Sequence, residues 1–327
     1  MTDRELHVVL GAGQIGPRVA SRLVALGHRV RVVRRTAARA RVDGVESVAV
    51  DVRDGSALAR AAEGASVVYH CVNPLYDQWH ELLLPMTRGI VDGTARAGAR
   101  LVVLDNLYMY GETANMTEAT PMRPVSKKGA LRAQAAELML EADAKGTLPV
   151  AIGRAADFFG PEAPLSVLGE QFYQRVLAGK SGQFWGDVDQ LHSYSYTPDV
   201  AEGLVALGLG AERGLWMLPV QPAESTRAVV ARFARALGRE IPIGRIPVWV
   251  LRAAGVFWPT GRELAEMAYQ WEQPFVLHDD KFRARFGFGP TPWDEAIGAA
   301  LAWAQGAYGR KPPSPARPAA SDPAPAR

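Results

Sequence analysis

The sequence predicts an α/β fold with a doubly wound parallel sheet, followed by a smaller and mostly helical part. Short runs of β-branched and other apolar residues alternate with amphipathic or alanine-rich stretches through the first half of the chain. These runs lack polar alternation, which is typical of strands buried on both faces of a parallel sheet. After about residue 160 the alternation stops and helical patterns dominate.

The predicted elements follow one another along the chain. The strands are Leu6–Leu10, Val30–Val33, Val45–Val50, Ser66–Val72, Leu101–Leu104 and Val150–Ile152. The helices between them are Ile15–Leu26, Gly55–Ala62, Trp79–Ala97 and Ala130–Ala144. Gly160-Pro161 then marks a turn, and a polar loop around Trp185 and His192 interrupts the second part. The later helices are Leu165–Ala178, Pro198–Leu209, Thr226–Leu237, Val248–Phe257, Arg262–Gln270 and Trp293–Gln305.

The composition is that of a soluble globular protein. Of the 327 residues, 22% are charged and 48% are hydrophobic, which excludes a disordered chain. No apolar run approaches the roughly 18–20 residues of a membrane span, and the start lacks a basic signal region. The lone Cys71 permits no internal disulfide. We therefore expect a cytoplasmic protein without a membrane partner.

The net charge of +3 resides at the end of the chain. Residues 310–327 hold four basic residues against one acidic residue, together with many prolines, so we expect a disordered tail. The rest of the chain is close to neutral and has no basic stripe on a predicted element. The sequence therefore does not predict a nucleic-acid partner.

A glycine-rich turn follows the first predicted strand and opens the first helix. Its Gly-x-Gly-x-x-Gly pattern comprises Gly11, Gly13 and Gly16, with Gln14 and Ile15 inside it. The first glycine permits a tight turn, the second lets the backbone approach a pyrophosphate, and the third allows close helix packing. The helix N-terminus then faces the phosphate charge. The motif predicts a Rossmann-type dinucleotide-binding domain over residues 1–160, interleaved with a substrate-binding part over residues 161–309.

The end of the second predicted strand discriminates between the two nicotinamide dinucleotides. An NAD site has an acidic residue there, which holds the ribose 2′-hydroxyl. This sequence has Arg34 and Arg35 instead, and no acidic residue follows before Asp43. Guanidinium groups attract a 2′-phosphate, which a carboxylate repels. We therefore expect NADP(H) rather than NAD(H).

Five further stretches carry a family resemblance. They are Asp51-Val52-Arg53-Asp54, Val68-Tyr69-His70-Cys71-Val72-Asn73-Pro74, Asn106-Leu107-Tyr108-Met109-Tyr110-Gly111, Arg154-Ala155-Ala156-Asp157-Phe158-Phe159-Gly160-Pro161 and Tyr196-Thr197-Pro198-Asp199-Val200. In this order they resemble the extended short-chain dehydrogenase/reductase superfamily, of the NAD-dependent epimerase/dehydratase type. The resemblance implies an enzyme with cofactor contacts at Asp51 and Val52 (adenine), Val72 and Asn73 (ribose), and Ala155 and Asp157 (nicotinamide).

The proton relay that this superfamily uses is missing. The family has Ser or Thr after the fifth strand and Tyr-x-x-x-Lys on the following helix. Here Asn106 occupies the hydroxyl position, Lys128 the tyrosine position and Arg132 the lysine position. No Tyr-x-x-x-Lys occurs anywhere in the sequence. The resemblance therefore implies a divergent active site.

The replacement residues are the catalytic candidates, together with Tyr108. Lys128 and Arg132 are four positions apart and share one helix face. Lys128 can act as an acid or base if burial and Arg132 lower its pKa, and Arg132 can hold the ribose. Asn106 can hydrogen-bond a carbonyl or oxyanion, and Tyr108 is an alternative phenol. In the opposing interpretation, Lys127 and Lys128 begin an exposed helix and have no chemical role.

The remaining polar residues carry weaker signals. His70, Cys71 and Tyr110 are expected to pack in the interior, whereas His192 can face the substrate from its loop. No His, Cys and carboxylate residues have metal-ligand spacing, so the sequence predicts no metal site.

The sequence thus predicts an NADP(H)-dependent oxidoreductase that acts on a small, fairly apolar carbonyl, enone or alcohol. Two alternatives stay open. One is a regulator that senses NADP(H) without turnover, and the other is a non-redox isomerase, epimerase or cyclase that reuses the cofactor pocket. The superfamily analogy also implies a homodimer through the helices Trp79–Ala97 and Ala130–Ala144.

Overall fold

A computed structural model of the chain describes residues 4–36, 42–255 and 259–309. Within these residues, seven parallel strands form a central sheet with helices on both faces, so the predicted α/β fold is confirmed. The predicted tail and the end of the predicted helix Val248–Phe257 lie outside the described residues. None of the described helices is both long enough and apolar enough to cross a membrane.

The strands have the following bounds. They are β1 Leu6–Leu10, β2 Arg29–Arg34, β3 Glu46–Ala49, β4 Ala65–His70, β5 Arg100–Asp105, β6 Asn115–Met116, β7 Val150–Arg154, β8 Asp157–Phe159, β9 Gly182–Trp185, β10 Leu191–His192, β11 Tyr194–Tyr196, β12 Gly214–Met217, β13 Glu224–Ser225, β14 Ile243–Ile246 and β15 Val276–Leu277.

The helices alternate with these strands. They are α1 Gly16–Ala25, α2 Gly55–Ala61, α3 Trp79–Arg96, α4 Lys127–Ala144, α5 Glu170–Leu177, α6 Thr197–Leu209, α7 Thr226–Leu237, α8 Val248–Ala254, α9 Pro259–Glu266, α10 Asp280–Phe286 and α11 Trp293–Tyr308. Short 3₁₀ turns lie at Tyr76–Gln78, Tyr108–Tyr110 and Ala268–Trp271.

The strand order of the central sheet is β12-β7-β5-β4-β1-β2-β3. The chain runs outward from β1 in one direction through β2 and β3, and in the other through β4, β5 and β7. The order therefore reverses between β1 and β4, and a crevice opens outside the carboxyl ends of these strands. Ligands of doubly wound sheets bind in such a crevice.

Two apolar cores cover the two faces of the sheet. On one face Leu58 of α2, Ile90 of α3 and Met139 of α4 pack on the strands. On the other face Leu23 of α1 and Leu204 of α6 are fully buried. Burying one such side chain contributes roughly 1.5–3 kcal/mol. The sheet is thus anchored on both sides, which leaves its carboxyl edge free to carry ligand-binding loops.

The second part of the chain is helical, as predicted, but it also contains short strand pairs that the sequence did not predict. The prediction of a polar loop around Trp185 and His192 is wrong at both residues. Trp185 is the last residue of β9, and His192 is the last residue of β10. The predicted helix Leu165–Ala178 begins only at Glu170. Strand β12 and helix α10 were also missed. Because β12 pairs with β7, the second part contributes a strand to the central sheet.

Candidate active site

A cavity of about 640 Å³ lies at the carboxyl edge of the sheet, at the switch point between β1 and β4. One half, the cofactor half, is formed by the glycine turn and the ends of β1, β4 and β7. The other half, the substrate half, is rich in aromatic side chains. These are Tyr76, Trp79, Tyr108, Phe158, Phe172, Phe184, Trp185, Tyr194, Trp271 and Phe275.

The glycine turn has the geometry that its motif predicts. Gly11 adopts a φ of +101°, and a Cβ there would lie 2.9 Å from the carbonyl oxygen of Cys71. A Cβ on Gly16 would collide with the carbonyl oxygen of Gly11. At Gly13, by contrast, no described atom lies within 4 Å of the Cβ position. The first and third glycines thus permit close packing, and the second leaves open space for a ligand.

Further observations fit a dinucleotide in the cofactor half. Gln14 and Ile15 line the cavity at the start of α1, where free backbone N–H groups attract phosphate. The Oε1 atom of Gln14 is buried and has no hydrogen-bond partner among the described residues. Val72 and Asn73 line the cavity after β4, and Ala155 lines it after β7. The predicted contacts at the turn, ribose and nicotinamide therefore share one wall.

The adenine end of the predicted site lies beyond this cavity. Arg34 ends β2 beside the glycine turn, since the N–H of Gly11 donates to the carbonyl of Val33 at 2.8 Å. The guanidinium of Arg34 has no side-chain partner among the described residues, and Arg35 is exposed. The pKa of Asp51 is lowered mainly by hydrogen bonds from Arg53, and less by the charge of Arg35. The carboxylate of Asp51 therefore lies close to Arg53 and Arg35.

Val52, the predicted neighbour of Asp51 at the adenine, is instead mainly a packing residue. Its side chain is buried in the apolar core that α2 and α3 share. Its carbonyl oxygen lies so close to Gly89 of α3 that any Cβ there would collide with it. Only the backbone of Val52 is therefore left to contact a nucleotide.

Arg132 lies at the centre of a buried charge network between the two halves. Its Nη2 donates to Oδ1 of Asn73 at 2.8 Å, and its Nη1 lies 3.4 Å from Oδ1 of Asp105. The other oxygen of Asp105 accepts from Nε of Arg154 at 3.2 Å, and Arg154 also donates to the hydroxyl of Tyr110. Burial of both arginines costs much free energy without such partners. The network fixes Arg132 beside the predicted ribose position.

Lys128 is buried but does not line the cavity. Its ammonium forms an ion pair with Glu263 of α9 and lies 4.4 Å from the centre of the Tyr76 ring. Ser126 caps the same helix by accepting from Gly129 at 2.9 Å, and Glu266 accepts from the backbone N–H groups of Lys127 and Lys128. The exposed-helix interpretation of Lys128 is therefore wrong. Its side chain joins α4 to α9 through Glu263.

Tyr108, unlike Lys128, lines the cavity. Its ring stacks on Trp79 at 5.9 Å between centroids, and its hydroxyl lies near that of Tyr76. Burial raises the pKa of Tyr108 to about 12, and the nearby charge of Asp157 acts in the same direction. The phenol is therefore protonated at neutral pH. Asn106 accepts from the backbone N–H of Tyr108 at 3.2 Å and also lines the cavity.

Asp157 and His192 form a hydrogen-bonded pair that also lines the cavity. Nε2 of His192 lies 3.0 Å from Oδ2 of Asp157, and both residues line the cavity. The parallel pairing of β8 with β11 brings their two chain segments together. The His192 ring stacks on Phe275 at 5.5 Å. The sequence gives no sign that Asp157 and His192 are partners, because only the strand pairing brings them together.

His70 and Cys71 lie at the boundary between the halves. Burial lowers the pKa of His70 to about 3, and Arg132 acts in the same direction, so the imidazole is neutral. Burial raises the pKa of the Cys71 thiol to about 12, which excludes a reactive thiolate at neutral pH. The sequence signal missed Tyr76, Asp105, Arg154 and Glu263, because their roles arise from contacts between distant elements.

With this geometry in place, comparison with known proteins identifies the family. A model of the NAD dependent epimerase/dehydratase family matches residues 7–212. The chain belongs to that family. The description of this family names NAD-dependent epimerases and dehydratases, so the chain belongs to a family of enzymes that use a nicotinamide dinucleotide. The matched region ends just after α6 and so includes the glycine turn, the charge network and the Asp157–His192 pair.

Curated relatives are similar over most of this chain. A 3beta-hydroxysteroid-dehydrogenase/decarboxylase, isoform 2, of Arabidopsis thaliana is 26% identical over 258 residues, which are 71% of this chain and 44% of that protein. Isoform 1 is 23% identical over 259 residues, covering 71% of this chain and 56% of that protein. The chain thus spans about half the length of the curated relatives it matches.

Solved structures show the same fold. A UDP-glucose 4-epimerase of Thermus thermophilus, in complex with NAD, has a TM-score of 0.74 at 21% identity, covering 92% of this chain and 99% of that one. A dTDP-glucose 4,6-dehydratase of Streptomyces venezuelae, with NAD and TYD bound, has a TM-score of 0.75 at 18% identity, covering 92% and 97%.

Proposed function

We propose that the protein is an NADP(H)-dependent oxidoreductase acting on a small, fairly apolar carbonyl, enone or alcohol. The observation that carries this proposal is the continuity of the cavity. A dinucleotide-fitting half opens directly into a half lined by aromatic rings, and a protonated phenol, Tyr108, lies where they meet. Aromatic walls favour an apolar substrate, while a few polar groups orient its oxygen.

The preference for NADP(H) rests on charge at the end of β2. Arg34 has no side-chain partner among the described residues, and Arg35 is exposed. Both guanidinium groups are available to a 2′-phosphate. Asp51 lies nearby but is held in an ion pair with Arg53 at 2.5 Å. Its negative charge is thereby offset, so it does not oppose the phosphate.

The roles of the chain's own residues follow from their positions. The nicotinamide, when bound, supplies or accepts the hydride. Tyr108 donates the proton to the substrate oxygen during reduction, and Asn106 orients that oxygen from the same wall. Tyr76 lies close to the Tyr108 oxygen and would stabilise the phenolate that proton donation leaves. Arg132 donates to Asn73, which would contact the ribose, and the charge of Arg132 lowers the energy of the same phenolate.

A non-redox isomerase is the second candidate, because the Asp157–His192 pair can move a proton without any hydride transfer. The pair lines the same cavity as Tyr108, so a substrate there can meet both an acid and a base. The names of the curated relatives favour the redox candidate, since each is a hydroxysteroid dehydrogenase, which describes an apolar alcohol as substrate.

The test begins with cofactor binding, measured by quenching of tryptophan fluorescence with NADPH and NADH. We expect tighter NADPH binding, and Arg35→Asp should weaken NADPH by about 10-fold, because one charge-assisted contact is lost. Arg29→Asp, at the opposite end of β2, is the matched control and should leave both affinities unchanged. Equal affinities for both dinucleotides in the wild type would contradict the NADP(H) preference.

Turnover then separates the candidate functions. The enzyme with NADPH is offered a panel of apolar ketones, enones and quinones, and with NADP⁺ a panel of apolar alcohols, while nicotinamide absorbance is followed. Absorbance change with any panel member supports the oxidoreductase. Substrate conversion without absorbance change supports the isomerase, and tight binding without conversion leaves the cofactor-sensing regulator. A homodimer through α3 and α4 remains a prediction, which light scattering can test.

A further inference from the structure

A second cluster of ligand-type side chains lies at the amino end of the sheet, on the side opposite the cavity. Glu5, His7 and His28 each offer one ligand atom, and these atoms all lie within 4.8 Å of one another. Nε2 of His7 lies 3.7 Å from Oε2 of Glu5. The cluster takes no part in the function proposed above.

The fold explains why these residues meet. Glu5 and His7 are two positions apart at the start of the first strand, so their side chains project from the same face. His28 precedes β2, which pairs in parallel with β1 so that Arg29 lies beside Leu6. His28 is therefore the neighbour of Glu5 across the sheet. The His7 and His28 rings lie 4.4 Å apart between centroids, in an edge-to-face arrangement.

His7 provides the decisive observation. It is fully buried, yet its Nε2 has no hydrogen-bond partner among the described residues. Its Nδ1 lies 3.4 Å from the hydroxyl of Tyr69. If Nδ1 carries the proton and donates to Tyr69, Nε2 presents a lone pair toward the cluster.

We propose that Glu5, His7 and His28 form a binding site for a divalent transition-metal ion, with Zn²⁺ as the reference ion. Imidazole nitrogens and a carboxylate oxygen are ligands that Zn²⁺ accepts, with water completing a tetrahedral shell. Zinc–ligand bonds of about 2.0–2.2 Å place ligand atoms roughly 3.3–3.6 Å apart. The 3.7 Å separation of the His7 and Glu5 atoms is close to that value.

The surroundings also suit a cation. Tyr69 would fix the tautomer of His7 as an outer partner, which is how metal-binding histidines are oriented. The cation nearest to Tyr69, Arg100, is engaged by backbone carbonyls of Gly208, Gly210 and Glu212. It therefore has partners of its own. Because four residue steps separate His7 from Gly11, about 13 Å of strand lies between this site and the cofactor turn. The ion would join β1 to the turn before β2.

Binding is tested on the full chain without a polyhistidine tag, after treatment with a chelator. Isothermal titration with ZnCl₂ should show one ion per chain, and Co²⁺ should give the visible absorption of a tetrahedral nitrogen and oxygen site. Glu5→Gln and His28→Ala should each weaken Zn²⁺ binding by at least about 10-fold, since each removes a direct ligand. His80→Ala removes an exposed histidine on α3 and is the matched control, with unchanged affinity expected.

The thermal midpoint gives an independent readout. Zn²⁺ should raise it in the wild type and in His80→Ala, but not in His28→Ala, because the ion stabilises only a chain that holds it. Mg²⁺ should have no effect on any of them. Absence of stoichiometric Zn²⁺ binding, or binding that persists undiminished in both Glu5→Gln and His28→Ala, would overturn the proposal. Neither variant alters the fully buried His7, so the fold is expected to persist.

Discussion

The two halves of the cavity are built in different ways. The cofactor half is mainly backbone, because Gly11, Gly13 and Gly16 shape it and the start of α1 faces it. The substrate half is mainly side chains from segments far apart in sequence, such as Tyr108 and His192. Backbone geometry is encoded by a short local motif, whereas a wall of side chains depends on the whole fold. This difference decides which half a sequence can predict.

The substrate half should respond most strongly to loss of its phenol. Tyr108→Phe keeps the ring that stacks on Trp79 and removes the proton donor. We expect kcat to fall by about 10²–10⁴-fold, which is typical for a general acid, with little change in NADPH affinity. Steady-state kinetics with the substrate identified by the panel provides the measurement. Tyr308→Phe, on α11 and outside the cavity lining, is the matched control. A Tyr108→Phe enzyme with full kcat would assign proton transfer to another group.

The cofactor half should respond most strongly at its first glycine. Gly11→Val adds strain at a positive φ and collides with the carbonyl of Cys71, which together cost about 3 kcal/mol. NADPH affinity should fall by roughly 100-fold, as measured by fluorescence titration. Gly27→Val has a comparable φ of +88° but open space around it, so it separates strain from collision. Similar losses of affinity in both variants would contradict a specific role for Gly11.

The same contrast explains how much of the structure the sequence could predict. Strands β1 to β5 and β7, the helices between them and the glycine turn were predicted because each has a local pattern. Strand β12 was missed because four residues, Gly214–Met217, carry too little periodicity. Lys128 was assigned to proton transfer from its position in a motif, but its burial against Glu263 depends on α9, which is 135 residues away. Sequence spacing likewise gave no sign of the Glu5, His7 and His28 cluster.

His70, at the boundary between the two halves of the cavity, should make the free energy of unfolding depend on pH. Burial lowers the pKa of His70 to about 3 in the folded chain. In the unfolded chain the imidazole has its ordinary pKa near 6.5, so between these two pH values the unfolded chain binds a proton that the folded chain does not bind. Stability is therefore full above about pH 6.5 and falls as the pH drops toward 3. Between pH 7 and 5, His70 alone should cost on the order of 2 kcal/mol, or about 30-fold in the unfolding equilibrium.

Urea unfolding at pH 7 and pH 5 measures this effect. His70→Gln should reduce the pH dependence, while buried His7, whose pKa is also lowered, continues to contribute. His80→Gln, at an exposed position, is the control. An unchanged pH dependence in His70→Gln would show that this imidazole is not excluded from protonation in the folded state.

The smallest effect is expected at Lys128, on which the sequence placed a catalytic role. Because its ammonium is paired with Glu263 and does not line the cavity, Lys128→Met should leave kcat within about twofold of the wild type. Its thermal midpoint should fall, since Glu263 loses its partner in a partly buried site. Lys127→Met, at the exposed neighbouring position, is the control for both measurements. A loss of kcat comparable to that of Tyr108→Phe would show that Lys128 takes part in proton transfer.

The contacts of α9 have a consequence for substrate range. The wall that includes Asp105 and Arg132 is cross-linked by buried charges, because Asp105 pairs with Arg132 of α4 and with Arg154, which lies behind the wall at the end of β7. Leu264 and Met267 belong to the facing wall, which is attached to α4 through the carboxylates of Glu263 and Glu266. On the proposed function, we expect a longer or bulkier substrate to displace the wall with Leu264 and Met267 rather than the charge-linked wall. Diversification of Leu264 and Met267 is the direct route to an enzyme with altered substrate size preference.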